Sequence, residues 1–108
     1  MGNRVADKVA IITGASRGVG LEDAKLMVAE GATVIMADVN VEAGQKAAAE
    51  IGDGAQFVKL DVSSEADWKS LIALVEEQHG RLDILVNNAG ILQVGEIDKE
   101  TLEGWRRV

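Results

Sequence analysis

The sequence predicts an α/β fold built on a doubly wound parallel sheet. Three observations predict it. Short apolar runs rich in β-branched residues alternate with longer segments of helical period. Each apolar run is followed at once by Gly14, Asp38, Asp61 or Asn87, residues that stop strands and begin turns. Finally, 108 residues of which 47% are hydrophobic suffice for one core and leave little room for a second.

The elements follow in order. Residues 8–13 predict a buried strand, apolar, β-branched and stopped by Gly14. Residues 19–30 predict a helix with Leu21, Ala24 and Val28 along one side and Gly31 at its C-cap. Residues 32–37 form the second strand. Asn40 caps a helix over residues 41–51, whose small face is Ala43, Ala47 and Ile51. Residues 56–60 form the third strand. Ser64-Glu65-Ala66-Asp67 matches a capping box, in which hydroxyl and carboxylate each take an orphan N–H. The helix behind it carries Trp68, Leu71, Ile72 and Val75 at i, i+3, i+4, i+7 and ends at Gly80. Residues 82–86 form the fourth strand, and residues 101–108 begin a further helix.

Strands that are apolar throughout belong to a parallel sheet covered on both faces. Stepping one way builds strands 1, 2 and 3, and the return to strand 4 beside strand 1 gives the order 3-2-1-4. Ligands of such sheets bind at the switch point, outside the carboxyl ends of strands 1 and 4.

Composition excludes several classes. A net charge of −7 disfavours nucleic acid and anionic membrane surfaces as partners. No apolar run approaches the roughly 20 residues of a membrane-spanning helix, and residues 1–8 lack a signal-peptide core. Cysteine is absent and histidine occurs once, which excludes disulfides, thiolate catalysis and a Cys- or His-rich metal site. The expected compartment is the cytoplasm.

The chemistry gathers after strand 1. Thr13-Gly14-Ala15-Ser16-Arg17-Gly18-Val19-Gly20 has glycines spaced G-x-x-x-G-x-G between a strand and a helix. Glycines there make a tight turn, let backbone approach a pyrophosphate and let the helix pack on the sheet, while the helix N-terminus offers N–H groups to the anion. The pattern is neither G-x-G-x-x-G, because Asp23 stands where the third glycine would fall, nor a Walker loop, because no G-K-[ST] follows. Asp38 ends strand 2, eighteen residues after Gly20, where a carboxylate accepts from ribose hydroxyls and repels a 2′-phosphate. That favours NAD over NADP, whereas Arg17 points mildly the other way. The bland alternative for Asp38 is a strand-end aspartate capping the next turn.

Together with Asp61-Val62 after strand 3 and Asn87-Asn88-Ala89-Gly90 after strand 4, this loop resembles the classical short-chain dehydrogenase/reductase family, over residues 8–108. Finer text, in Gly18-Val19-Gly20-Leu21-Glu22, in residues 61–68 and in residues 85–92, is similar to bacterial 3β/17β-hydroxysteroid dehydrogenases. The resemblance implies a Rossmann-type fold, with residues 1–108 as the N-terminal NAD-binding part of one domain and the C-terminal catalytic half absent. It implies that the sheet is incomplete, lacking its C-terminal strands, so that the outer edge of strand 4 is bare and a polypeptide of these residues alone is expected to be marginal, aggregating or domain-swapped. It implies that Gly14, Ser16, Arg17, Gly18, Val19 and Gly20 line the pyrophosphate and adenosine ribose and that Asp38 reads that ribose. Asp61 would bind the adenine amino group with Val62 beside the ring. Asn88, Ala89 and Gly90 would run past the riboses, and Asn87 would join the central strands. The implied reaction is hydride transfer between the nicotinamide and a small-molecule secondary alcohol or ketone, a hydroxysteroid being the first candidate. The implied assembly is a homo-oligomer, a tetramer at full length.

The family's catalytic Asn, Ser, Tyr and Lys all fall beyond this segment. The chain has no tyrosine, so no catalytic residue is assigned and the 108 residues alone are expected to be inactive. His79, in a last helical turn, reads as a dipole-stabilised or packing residue. Glu22, Asp23, Glu76 and Glu77 read as solvated and Trp68 as core. The alternative function is a non-catalytic dinucleotide-binding or sensing module. A receiver-like domain, with Asp61 as phospho-acceptor, lacks the carboxylates after strand 1 that Mg²⁺ requires.

Overall fold

A computed structural model of the chain describes residues 6–87 and 91–93. Their order is β1 (Val9–Thr13), α1 (Gly18–Ala29), β2 (Thr33–Asp38), α2 (Val41–Ile51), β3 (Ala55–Lys59), α3 (Glu65–His79), β4 (Ile84–Asn87) and β5 (Ile91–Gln93). β1 pairs in parallel with β2 and with β4, and β2 pairs in parallel with β3. The sheet order is β3-β2-β1-β4-β5, so the first four strands take the predicted 3-2-1-4 arrangement.

β5 is the strand that sequence reading lacks. It runs antiparallel to β4, with Ile84 opposite Gln93, Leu85 opposite Leu92 and Val86 opposite Ile91. The expected bare edge of β4 is therefore corrected: three of its residues are paired on that side. Unpaired edge N–H and C=O groups attract a strand. The connection from Asn87 to Ile91 is three residues, long enough for an antiparallel return and far too short for a parallel crossover. The helix expected over residues 101–108 lies outside the described residues.

The alternation of side chains along the strands divides the core in two. Val9, Ile11, Ile35, Ala37 and Leu85 pack on one face with Trp68, Leu71, Ile72 and Val75 of α3. Ala10, Ile12, Val34, Met36, Ile84 and Val86 pack on the other with Ala24 of α1 and Ala47 of α2. All five residues of β1 are buried, as a central strand covered on both faces must be. Of the predicted small face of α2, Ala47 is buried and Ile51 packs against the core, but Gly44 rather than Ala43 is buried, so close to Phe57 of β3 that a side chain there would overlap its ring.

Two loops also depart from expectation. Ser64 Oγ caps α3 by accepting from Asp67 N–H at 3.1 Å, but the Asp67 carboxylate does not return the bond. It takes the N–H of Asp61 at 2.9 Å, while Ser64 N–H donates to the Asp61 carbonyl at 2.9 Å. The fourth strand begins at Ile84 rather than residue 82, because Asp83 is turned inward as a clasp. Its Oδ2 accepts from Val9 N–H at 2.9 Å, and its Oδ1 accepts from Arg81 Nη2 at 2.6 Å and Nε at 3.1 Å. Burial pushes the Asp83 carboxyl up, but the Arg81 guanidinium and the Val9 N–H outweigh it and hold it below its ordinary value.

Candidate functional site

The turn from β1 into α1 is shaped by glycine. Gly14 and Gly18 adopt φ of 63° and 66°, left-handed values that L side chains rarely take. A side chain at Gly20 would overlap the carbonyl oxygen of Gly14, so the first turn of α1 lies directly against the strand end. A Cβ at Gly18 would meet nothing within 4 Å, so the space beside it is open.

α1 differs from the other helices at its start. α2 is capped by Asn40, whose side chain accepts from Ala43 N–H, and α3 by Ser64. At the N-cap of α1, Arg17 has extended backbone and contributes no side-chain cap. The orphan N–H groups and positive dipole end of α1 are thus left without a protein acceptor of that kind.

Asp38 stands at the end of β2 beside this turn. Its Oδ2 accepts from the Ser16 hydroxyl at 2.6 Å and from Ser16 N–H at 3.2 Å. Its Oδ1 accepts from Asn40 N–H at 3.1 Å. Partial burial pushes the carboxyl up, yet the Ser16 hydroxyl and the N–H groups of Asn40, Ser16 and Val39 prevail and lower its pKa. The carboxylate therefore braces the β2–α2 turn, as the bland alternative has it, and it also lines a cavity.

That cavity has a volume of about 670 Å³ and is lined by Gly14, Ser16, Arg17, Gly18, Val19, Asp38, Val39 and Asn40. Six of the candidate residues thus meet at one concavity, of the size that small-molecule sites occupy. Val39 and Asn40 complete the lining without having been singled out as ligands. The available signal was Val39 itself, an apolar residue directly after the acidic strand end, which is exposed.

Gly20, Asp61 and Val62 are not in the lining. Gly20 is buried as a packing contact. Asp61 is exposed, and its Oδ1 accepts from Ser63 N–H at 2.9 Å and Ser63 Oγ at 2.6 Å. Those bonds lower its pKa, with a smaller contribution from Lys59. Val62 is half-exposed, and its carbonyl accepts from Trp68 Nε1 at 2.9 Å, while Trp68 itself is core. Asn88, Ala89 and Gly90 lie outside the described residues. Asn87 is within them, and its Oδ1 accepts from the Thr13 hydroxyl at 2.8 Å, joining the tips of β1 and β4. His79 is half-buried in the last turn of α3, with Nε2 buried and without a hydrogen-bond partner among the described residues.

Comparison with known proteins bears on this arrangement. The family model "short chain dehydrogenase" matches residues 8–108. The chain is 50% identical over 108 residues to a 3-beta-hydroxysteroid dehydrogenase of Comamonas testosteroni, covering 100% of this chain and 42% of that protein. It is 46% identical over 105 residues to a galactitol 2-dehydrogenase of Agrobacterium fabrum, covering 97% of this chain and 41% of that one. The chain thus spans about two fifths of the length of these curated relatives. Among solved structures, a 3-ketoacyl-(acyl-carrier-protein) reductase from Brucella melitensis, complexed with NADH, matches with TM-score 0.72 and 38% identity over 75% of this chain and 33% of its own.

Proposed function

The chain belongs to the short-chain dehydrogenase family, and on that premise we propose that its β1–α1 cavity binds a nicotinamide dinucleotide, NAD(H) in preference to NADP(H). The observation that carries the reading is the presence, at one cavity, of a helix start without a side-chain cap and of a braced carboxylate. The N–H groups of the first turn of α1 suit a pyrophosphate, and the open space beside Gly18 leaves room for it. The Asp38 carboxylate suits the adenosine ribose hydroxyls as an acceptor and repels a 2′-phosphate. Arg17 is exposed and free of that bracing, so its pull toward a phosphate is screened by solvent.

The remaining assignments rest on family resemblance. Asp61 and Val62 serve the adenine ring, and Asn88, Ala89 and Gly90 the riboses. When bound, the dinucleotide supplies the group that gives or takes a hydride. The chain's own residues anchor and orient it, and Thr13 and Asn87 keep the tips of β1 and β4 in register beneath it.

On this reading residues 1–108 are the N-terminal, cofactor-holding part of one Rossmann-type domain in a cytoplasmic dehydrogenase. The protein acts on a secondary alcohol or ketone, and the hydroxysteroid and sugar-alcohol dehydrogenases among its relatives make a hydroxysteroid the first substrate to try and a sugar-derived alcohol the second. By family resemblance the acid–base group is a tyrosine, and residues 1–108 include none. Assembly into a tetramer is part of the same proposal.

Titration of the protein with NADH and NADPH, followed by nicotinamide fluorescence, tests the reading. Asp38→Ala is expected to weaken NADH by about 10- to 100-fold, the worth of hydrogen bonds to a charged group, and to narrow the preference over NADPH. Equal losses for both cofactors would remove Asp38 from the ribose.

A further inference from the structure

Asp53 and Gly54 lie in the turn from α2 into β3, at the other end of the sheet from the cavity. The turn needs glycine at position 54. Gly54 has a φ of 98°, a value that L side chains rarely adopt, and a Cβ there would stand 3.0 Å from Val28 Cγ1 of α1. Its carbonyl is tied down, accepting from Val34 N–H of β2 at 2.7 Å. Its N–H is exposed and donates to no acceptor among the described residues. Gly52, on the other side, has a φ of 88° and open space where a side chain would stand. Asp53 itself is exposed, and its carboxyl group has no hydrogen bond or ion pair among the described residues. By contrast, Asp38, Asp61, Asp67 and Asp83 commit their carboxylates to hydroxyl, N–H or guanidinium donors. Of all the aspartates and asparagines in the chain, only Asp53 is followed by glycine.

We infer that Asp53-Gly54 is a self-modification site, at which the backbone nitrogen of Gly54 attacks the Asp53 side chain and the turn isomerises to isoaspartate. The bond that forms joins Gly54 N to Asp53 Cγ. The bond that breaks is Cγ–O of the protonated carboxyl, whose hydroxyl leaves with the amide proton as water. The product is a succinimide ring. Water then opens the ring at either carbonyl. Opening at Cγ restores aspartate. Opening at the main-chain carbonyl leaves the chain running through Cβ and Cγ, with the former main-chain carbonyl as a free carboxylate. One water leaves and one returns, so no other reactant is needed. Gly54 has no side chain to shield its nitrogen, and neither reacting group is held elsewhere. The glycine that packing demands is thus what exposes Asp53 to this reaction. In isoaspartate the backbone carries one extra atom shortly before Ala55, which opens β3 opposite Val34. β3 ends the described sheet and pairs there with β2 alone. Isomerisation therefore weakens the Gly54–Val34 bond at the start of the β2–β3 ladder.

The test incubates the full chain for weeks in heavy-oxygen water at about pH 5, where carboxyl groups are partly protonated. Electron-transfer fragmentation, which separates the two isomers, and enzymatic methylation from S-adenosylmethionine, which marks isoaspartate, locate the product. Isoaspartate and one heavy oxygen per ring opening are expected to accumulate at position 53 ahead of every other aspartate and asparagine. Asp53→Glu, whose ring would be larger and slower to close, is expected to lose the signal. The isomerised protein, separated from the parent, is expected to exchange the Val34 amide about 3- to 10-fold faster, the effect of one backbone hydrogen bond. Label at position 53 no greater than at Asp7 or Asp61 would overturn the site, and that measurement is made on the parent, so it does not depend on any variant folding. Isoaspartate at position 53 with Val34 exchange unchanged would overturn the effect on the ladder while supporting the site.

Discussion

The turns after β1 and after β3 both lead from a parallel strand into a helix on this sheet, yet they use their polar groups in opposite ways. After β3 the groups close on one another. Asp61 takes the N–H and hydroxyl of Ser63, Ser64 caps α3, and Asp67 takes the N–H of Asp61. The result is a self-satisfied surface turn. After β1 no side chain caps the helix, and the nearby carboxylate comes from β2, 22 residues from Ser16. A turn closed by local bonds spends its donors on itself and keeps only spare lone pairs, such as those of Asp61, for an amino group of a ligand. A turn braced from another strand keeps its helix start open and its shape fixed, which is what an anion site requires.

The largest effect that separates the two turns should come from Gly20. Gly20→Ala forces a methyl group onto the Gly14 carbonyl, at an overpacking cost of about 1–3 kcal/mol. It should also abolish measurable dinucleotide binding, because the helix start moves away from the strand. Unchanged affinity in calorimetry would break the link between that close approach and the site.

Next comes the clasp at Asp83, far in role from either turn. Asp83→Ala orphans the Val9 N–H inside the sheet and should cost about 1–3 kcal/mol in urea denaturation with cofactor affinity preserved. Its acid behaviour follows from sign. Asp38 and Asp83 both have lowered pKa values in the folded protein. Their stabilisation is complete above the unfolded value of about 3.9 and is lost as pH falls through the folded one. Melting temperature should therefore drop on acidification below about pH 4, and Asp83→Asn should flatten that drop. A parent curve flat to pH 2.5 would contradict the assignment.

The smallest effect belongs to the closed turn. Ser64→Ala removes a helix cap worth about 1 kcal/mol and should leave NADH affinity within twofold. A large loss of affinity from this variant would erase the contrast between the turns.

Much of this was legible in the sequence because local rules decide it. Apolar runs with helical segments between them gave four strands and their order, and Asn40, Ser64 and Gly80 marked helix ends by chemistry that depends on near neighbours. What escaped depends on residues far apart. β5 is a three-residue strand with no period of its own, created by the edge it joins. Gly44 replaced Ala43 on the buried face of α2 because of where Phe57 comes to rest on β3. Asp83 read as one polar residue inside an apolar run, and its tie to Val9 spans 74 residues. At the site, the glycines and Asp38 were visible as a pattern, but the Ser16–Asp38 bond, which fixes what the pattern offers a ligand, exists only once β1 and β2 lie side by side.

The central claim is that the start of α1, beside Asp38, holds the dinucleotide. Amide hydrogen exchange of the protein with and without saturating NADH addresses it residue by residue. The account predicts the strongest added protection at residues 14–20 and 38–40. Protection that leaves those residues unchanged while appearing elsewhere would contradict it.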